Sequence, residues 1–181
     1  MENKIVVITG AGSGLGASLA KKYSELGACV VLLGRTKEKL MRTAKALKNT
    51  NFIYEVDVSV NEEVEKVFEA INKEIGDIDI LINNAGVGSF DFVEDIDEKS
   101  IHDMIDINLK GTIFCTQAVL KQMKMRNHGY IINIISKSGK RPKMHESVYC
   151  ASKFGMRGFA ETLAIELEDT PIRVTNVYMG N

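Results

Sequence analysis

The chain has 181 residues, of which 45% are hydrophobic and 26% charged, and its formal net charge at pH 7 is −1. These values fit one globular domain with a substantial core. Because basic and acidic residues are interspersed along the chain, we expect no basic surface for nucleic acid or an anionic membrane.

The first predicted elements are a strand, a glycine-rich turn and a helix. The strand is the apolar run 5–8, and the following turn, residues 9–16, contains four glycines. Apolar residues recur at helical spacing over 15–26, and Gly27 is suited to end that helix. Glycines before a helix let backbone N–H groups approach a phosphate, so the turn indicates a nucleotide site. An ordinary strand-to-helix turn remains the alternative.

The rest of the chain alternates between apolar strands and helices. Strands are predicted at residues 28–33, 52–56, 78–82, 130–135 and 172–177. Between them, the spacing of apolar residues predicts a helix capped by Thr36, a helix through 64–75, one or two helices over 98–126, and a helix over 147–168. Strands that are apolar throughout and alternate with helices are typical of the α/β class, with a doubly wound parallel sheet, the Rossmann fold.

Small and polar residues follow the first five predicted strands. After the glycine turn, these segments are residues 34–36, 57–59, 83–86 and 136–139. Ligands of a doubly wound sheet bind beyond the carboxyl ends of its strands. Five such segments therefore favour a binding cleft along this edge.

The residues after the second strand indicate which dinucleotide binds. Folds of this kind place an acid against the ribose for NAD, or an arginine against the 2′-phosphate for NADP. Here Gly34 adds no negative charge, and the Arg35 guanidinium can bind a phosphate through two hydrogen bonds. We predict NADP in preference to NAD, although a solvated loop arginine would leave the same pattern.

Together, these motifs resemble the classical short-chain dehydrogenases/reductases, of the NADP-preferring type, over nearly the whole chain from Ile5 to Val177. The resemblance implies that Asp57 contacts the adenine and that residues 83–86 stabilise the sheet. The cofactor-binding residues that it implies are Gly10, Ser13, Gly14, Leu15, Gly16, Arg35, Asp57, Val58, Asn84, Ala85, Gly86, Tyr149 and Lys153. The family's catalytic tetrad falls on Asn108, Ser136, Tyr149 and Lys153.

The activity that the resemblance implies is hydride transfer between NADP(H) and a ketone or secondary alcohol. Such a reaction needs a proton delivered to, or removed from, the substrate oxygen. Tyr149 and Lys153 are four residues apart and share a helix face, so the lysine ammonium, helped by the positive nicotinamide ring, is expected to lower the pKa of the tyrosine. Ser136 would orient the substrate oxygen. By the resemblance, Lys153 would also hold the nicotinamide ribose, and Asn108 would fix a water that connects this lysine to solvent.

Other classes fit less well. A P-loop hydrolase needs Gly-Lys followed by Ser or Thr at the end of the glycine loop, whereas Ala17 follows Gly16 here. A methyltransferase usually carries an acid just before its glycines, and residues 9–11 contain none. A catalytically silent dinucleotide-binding or interaction protein on the same fold remains open.

Family members usually continue past the sixth strand with Pro-Gly, a helical lid and a further strand. Here Met179-Gly180-Asn181 stand at that place. We interpret the sequence as truncated at its C-terminus, with a natural short form as the alternative. We expect an exposed edge at the sixth strand and weak or absent turnover. Residues 98–126 and 147–168 resemble the helices through which the family forms homodimers or homotetramers.

The cysteines and the hydropathy of the chain predict its location. Cys29, Cys115 and Cys150 have no CxxC spacing and no histidine at ligand spacing, so we expect neither disulfides nor a metal site. The first residues lead directly into a strand, and no apolar run reaches the roughly 18 residues of a transmembrane helix. A cytoplasmic protein with no membrane partner is the expectation.

Overall fold

In the computed structural model, which describes residues 1–180, the six apolar segments form one parallel sheet in the order β3-β2-β1-β4-β5-β6. The strands are β1 (Ile5–Thr9), β2 (Cys29–Gly34), β3 (Asn51–Glu55), β4 (Ile80–Asn83), β5 (Tyr130–Ser136) and β6 (Arg173–Met179). The helices are α1 (Gly14–Glu25), α2 (Lys37–Lys45), α3 (Asn61–Glu74), α4 (Glu98–Asp103), α5 (Gly111–Arg126) and α6 (Ser147–Glu166). This is the predicted doubly wound α/β fold.

Alternating side chains of the strands supply two hydrophobic cores, one on each face of the sheet. Val6 and Ile8 of β1 pack into the core that α1 and α2 cover. Val7, between them, packs into the core that α3, α5 and α6 cover. Because both faces are covered, the central strands are apolar at every position, which explains why their sequences show no alternation.

The strand order reverses between β1 and β4, which pair in parallel from Val6 opposite Ile80 to Ile8 opposite Ile82. The chain moves from β1 towards β3 on one side and from β4 towards β6 on the other. The connections that follow β1 and β4 therefore lead to opposite sides of this point, which leaves a crevice at the carboxyl ends of the strands. Among residues 1–180, β6 has a strand neighbour on one side only.

Several element boundaries differ from the predictions. β4 begins at Ile80, two residues later than expected. The run 98–126 contains a π-helical turn, Met104–Lys110, between α4 and α5. Thr36 precedes α2 as predicted, but its hydroxyl makes no capping hydrogen bond. Within residues 1–180, none of the helices has the length and apolar character that a membrane span requires.

Candidate functional site

The glycine turn after β1 packs so closely against the end of β4 that side chains are excluded from it. Gly10 has φ +65°, and a Cβ there would lie 2.9 Å from the Cα of Ala85. A Cβ on Gly16 would overlap the carbonyl oxygen of Gly10 and lie 2.6 Å from the side-chain nitrogen of Asn84. Gly14 also has a positive φ, +53°, but a Cβ there would meet open space. The turn therefore presents bare backbone at the start of α1, as an anion site requires.

Hydrogen bonds tie this turn to the loop after β4. The Thr9 hydroxyl accepts from the amides of Asn84 and Ala85, both at 2.9 Å. In return, the Asn84 side chain donates to the carbonyl oxygen of Thr9 at 2.9 Å. The neighbouring Asn83 is buried and donates to Asn133 on β5, at 2.9 Å, and to Thr116 on α5, at 3.1 Å. These bonds fix the glycine turn after β1 and the loop after β4 relative to one another.

A cleft of about 340 Å³ runs from the glycine turn across the ends of β2 and β3. Of the cofactor residues predicted for this end of the site, all except Gly14 line it. The lining also contains Lys39, Val87 and Ile107, which the sequence analysis did not select. Lys39 lies in the first turn of α2, four residues after Arg35, and that spacing is the signal that could have identified it.

The far end of this first cleft carries the polar groups that would distinguish one dinucleotide from another. Arg35 is about half exposed, and its Nη1 lies 3.9 Å from a carboxylate oxygen of Asp57. Ser59 holds that carboxylate by donating to it from its amide, at 3.0 Å, and from its hydroxyl, at 2.6 Å. Thr36 and Lys39 line the cleft beside Arg35. Two cations and a free hydroxyl therefore lie next to one another.

A second cleft, also of about 340 Å³, continues from the first one towards the end of β5. The two share Leu15, Asn84, Gly86 and Val87, so they form one continuous groove. Ser136, Tyr149 and Lys153 all line the second part, as does Phe90. The structure thus brings together three of the four predicted tetrad residues, from the end of β5 and from α6.

Tyr149 is half-buried beneath Phe90, whose ring meets the phenol ring edge-on with a centroid distance of 5.4 Å. Burial is the largest influence on the phenol pKa and raises it above its ordinary value. The nearby Ser136 hydroxyl acts in the opposite direction, whereas the charges of Glu146 and Cys150 raise the pKa further. The phenol therefore keeps its proton at neutral pH.

Lys153 is a buried cation, with 5% of its surface exposed. Its ammonium donates to the carbonyl oxygen of Ile134 at 3.3 Å and contacts the sulfur of Met156 at 3.4 Å. Burial lowers its pKa from 10.5 to about 8, so it still carries a charge at pH 7. It lies 5.8 Å from the centroid of the Tyr149 ring.

The residues of the chain alone shift the phenol pKa upward, and Lys153 is not among the groups that change it. The depression that we expect from Lys153 together with the positive nicotinamide ring stays a prediction. The sequence spacing correctly places both side chains on one face of α6, but the ammonium is bound to β5 and to its own helix.

Asn108 lies in the π-helical turn, is completely buried and lines neither cleft. Its side-chain oxygen accepts from the amide of Val87 at 2.8 Å, and its nitrogen donates to the carbonyl of Val87 at 2.9 Å and to the hydroxyl of Ser152 at 3.0 Å. These bonds fix the loop after β4 against α6. The water that the resemblance assigns to Asn108 stays a prediction.

Three apolar side chains in the segments after β4 and β5 are exposed, and one of them, Phe90, lines the second cleft. Phe90 is 59% exposed, Phe92 53% and Met144 75%. His145, which the sequence placed in the loop bordering the substrate, packs edge-on against Phe92 with centroids 4.4 Å apart. Residues 1–180 contain no group of three or more His, Cys, Asp or Glu side chains placed to hold a metal ion.

The sheet and its continuous groove define a protein of the Rossmann class. A family model described as short chain dehydrogenase matches residues 4–181. An uncharacterized oxidoreductase of Staphylococcus epidermidis is 34% identical over 180 residues, which cover 99% of this chain and 78% of the relative. Serine dehydrogenase from Escherichia coli has a similar structure, with a TM-score of 0.93 and 35% identity over 97% of this chain and 82% of that one.

A metagenomic short-chain oxidoreductase solved in complex with NADP has a TM-score of 0.92 and 32% identity, covering all of this chain and 84% of that one. The family model alone spans nearly the whole sequence. This chain belongs to the short-chain dehydrogenase family. Its relatives' names support an oxidoreductase, a dehydrogenase or reductase of small molecules.

Proposed function

We propose that this chain is a dinucleotide-binding domain that transfers hydride between NADP(H) and a ketone or secondary alcohol. One observation carries the proposal: the cleft that holds Ser136, Tyr149 and Lys153 opens directly into the glycine-lined cleft. A nicotinamide and a substrate oxygen could therefore meet at the phenol while the rest of the cofactor follows the groove.

The first cleft fits a dinucleotide because its floor excludes side chains at the turn. The backbone around Gly10 and Gly16 would hold the pyrophosphate. Asp57 and Val58 would contact the adenine, and Arg35 would bind the 2′-phosphate, with Lys39 and Thr36 beside it. The complexes of two similar structures with NADP support this preference. When bound, the nicotinamide supplies or accepts the hydride.

Tyr149 would donate the proton to the carbonyl oxygen in the direction of reduction. Its raised pKa keeps the phenol protonated at neutral pH, which is the form that a general acid needs. In the direction of oxidation the same group must first lose its proton, which requires a higher pH. Ser136, on the same cleft, would hydrogen-bond the substrate oxygen and orient it.

Lys153 would support this chemistry from the wall of the second cleft, and Asn108 from behind it. The buried ammonium carries a charge at pH 7 and favours the negative phenolate left after proton donation. It would also contact the nicotinamide ribose. Asn108 would act as a positioning residue, since it holds Val87, which lines both parts of the groove.

The cofactor assignment is tested by thermal melting with NADP, NAD and S-adenosylmethionine. Ligand at 100 times its Kd adds about 2.7 kcal/mol of stability. We expect Arg35→Ala to weaken NADP binding about 10- to 100-fold, the value of a charge-assisted hydrogen bond, and to change NAD binding little. Lys37→Ala, which removes an exposed cation of α2 outside the cleft, is the matched control. Equal losses for both dinucleotides would refute the phosphate contact.

Catalysis is tested by following NADPH oxidation with a panel of ketones. We expect Tyr149→Phe to abolish turnover, because the ring remains and only the hydroxyl that donates the proton is lost. Full activity in this variant would exclude Tyr149 as the acid. Stabilisation by S-adenosylmethionine alone would favour a methyltransferase.

We also propose that the chain forms a homodimer or homotetramer through α5 and α6. These helices expose large apolar side chains, among them Met125, Phe154 and Ile165. Light scattering coupled to size-exclusion chromatography measures the mass of the particle directly. A monomer at micromolar concentration would contradict the proposal.

A further inference from the structure

Glu146 is a covered carboxylate next to the proposed catalytic residues. It lies directly before α6, three residues from Tyr149, and only 7% of its surface is exposed. One carboxylate oxygen accepts from the Ser138 hydroxyl, and the other from the Lys143 ammonium at 2.9 Å. Although burial raises its pKa, these two partners outweigh burial and lower the pKa, so the group is ionised.

The bond from Ser138 to Glu146 determines how Ser138 can interact with Ser136. A serine hydroxyl has one proton, and a carboxylate can only accept, so the proton of Ser138 is committed to Glu146. The Ser138 oxygen can then only accept from the Ser136 hydroxyl, at 3.2 Å. The Ser138 amide donates to the Ser136 oxygen at 3.1 Å. Two contacts with Ser138 therefore fix the position of the Ser136 oxygen, while the Ser136 proton lies in a long hydrogen bond that a substrate oxygen can replace.

We propose that Glu146 is a positioning residue of the active site, which acts through Ser138 to orient the hydroxyl of Ser136. The proposal rests on the proposed function, in which Ser136 binds the substrate oxygen. Because Ser138 cannot donate to Ser136, the Ser136 proton is held only by a long hydrogen bond and can turn to a carbonyl oxygen in the cleft. The remaining lone pair of Ser136 can accept from an alcohol.

A purely structural role explains the position of Glu146 less well. Its side chain makes no capping hydrogen bond to α6. Its ion pair is with Lys143, which is more than half exposed, and such pairs contribute little to stability. The hydrogen bond from Ser138, in contrast, connects Glu146 to Ser136, which lines the second cleft.

The first test is a double-mutant cycle in kcat with NADPH and a ketone that the wild type reduces. We expect Glu146→Ala and Ser138→Ala each to lower kcat about tenfold, the value of one hydrogen bond, with KM for NADPH unchanged. The double variant is expected to lose no more activity than either single one, because both substitutions break the same relay, the chain of hydrogen bonds from Glu146 through Ser138 to Ser136. Glu161→Ala is the matched control, since Glu161 is on the same helix and pairs with Arg157. Additive losses would overturn the relay.

Glu146→Gln separates geometry from charge. Glutamine keeps an oxygen that accepts from Ser138, so kcat at its plateau is expected to stay within about twofold of the wild type. The titratable groups that face the phenol are the charged Glu146, the thiol of Cys150 and the more distant charged Lys153. Since the Glu146 charge raises the Tyr149 pKa, its removal should move downward the pH at which alcohol oxidation rises. A role in folding alone would not move that pH.

The second test needs no substrate, so it distinguishes failure of the relay from failure of the proposed function. The pKa of the Tyr149 phenol is measured by NMR of ring-labelled tyrosine, with Tyr149→Phe to assign the signal. We expect Ser138→Ala to raise this pKa, because the hydroxyl of Ser136 that lowers it is no longer held in place. Glu146→Gln is expected to lower it. An unchanged pKa in both variants would overturn the proposal, even if the wild type reduces no ketone.

Discussion

The buried charge of Lys153 should lower the free energy of unfolding, and the uncharged side chain of Lys153→Met should raise it. Burial lowers its pKa from 10.5 to about 8, and this difference corresponds to about 3 kcal/mol at about 1.4 kcal/mol for each pKa unit. The cost arises because the ammonium leaves water for a site that offers one carbonyl oxygen and one sulfur. We expect the methionine variant to gain up to about 3 kcal/mol at pH 7.

The pH dependence identifies the cause of this gain. The unfolded chain binds more protons than the folded one between pH 8 and 10.5, so wild-type stability should rise with pH across that interval. Below about pH 8 the full cost is present, and the advantage of Lys153→Met should shrink to near zero by about pH 10.5. Urea unfolding at several pH values measures both chains. Lys121→Met, at an exposed position of α5, is the matched control. A gain that does not depend on pH would refute the electrostatic explanation and indicate better packing instead.

Three further predictions concern the groove. The rate of ketone reduction should be constant up to about pH 8, where Lys153 begins to lose its charge, and then fall, whereas alcohol oxidation should rise with pH as Tyr149 loses its proton, as kcat profiles in both directions would measure. Gly16→Ala should cost about 1–3 kcal/mol and weaken NADP binding, since its Cβ overlaps the turn's own carbonyl oxygen. Gly158→Ala, in open space on α6, should instead stabilise by about 0.5–1 kcal/mol in the same urea melts. Asn108→Ala leaves the backbone groups of Val87 without their partners and should cost about 2 kcal/mol in unfolding experiments, so an unchanged stability would contradict that role.

The sequence by itself determined the fold class and predicted the edge of the sheet where we propose that ligands bind. Strands that are apolar at every position require cover on both faces, and the order of the elements then leads to a doubly wound sheet, as found. The role of the glycines at 10 and 16 was also predictable from the sequence, because glycines just before a helix leave its backbone N–H groups accessible to a phosphate. The pattern of apolar residues along each strand and helix depends only on which faces are buried, so it can be recognised in one sequence.

Only the tertiary structure decided the pKa values of the groups in the groove and the hydrogen bonds that hold its loops in place. The four-residue spacing placed Lys153 and Tyr149 on one face of α6, but their pKa values depend on Ile134, Phe90 and other groups from distant segments. The bonds of Asn108 and the π-helical turn that contains it likewise require contacts with the loop after β4 and with α6. Burial and hydrogen bonding between remote segments are set by packing, so no local pattern in the sequence could reveal them.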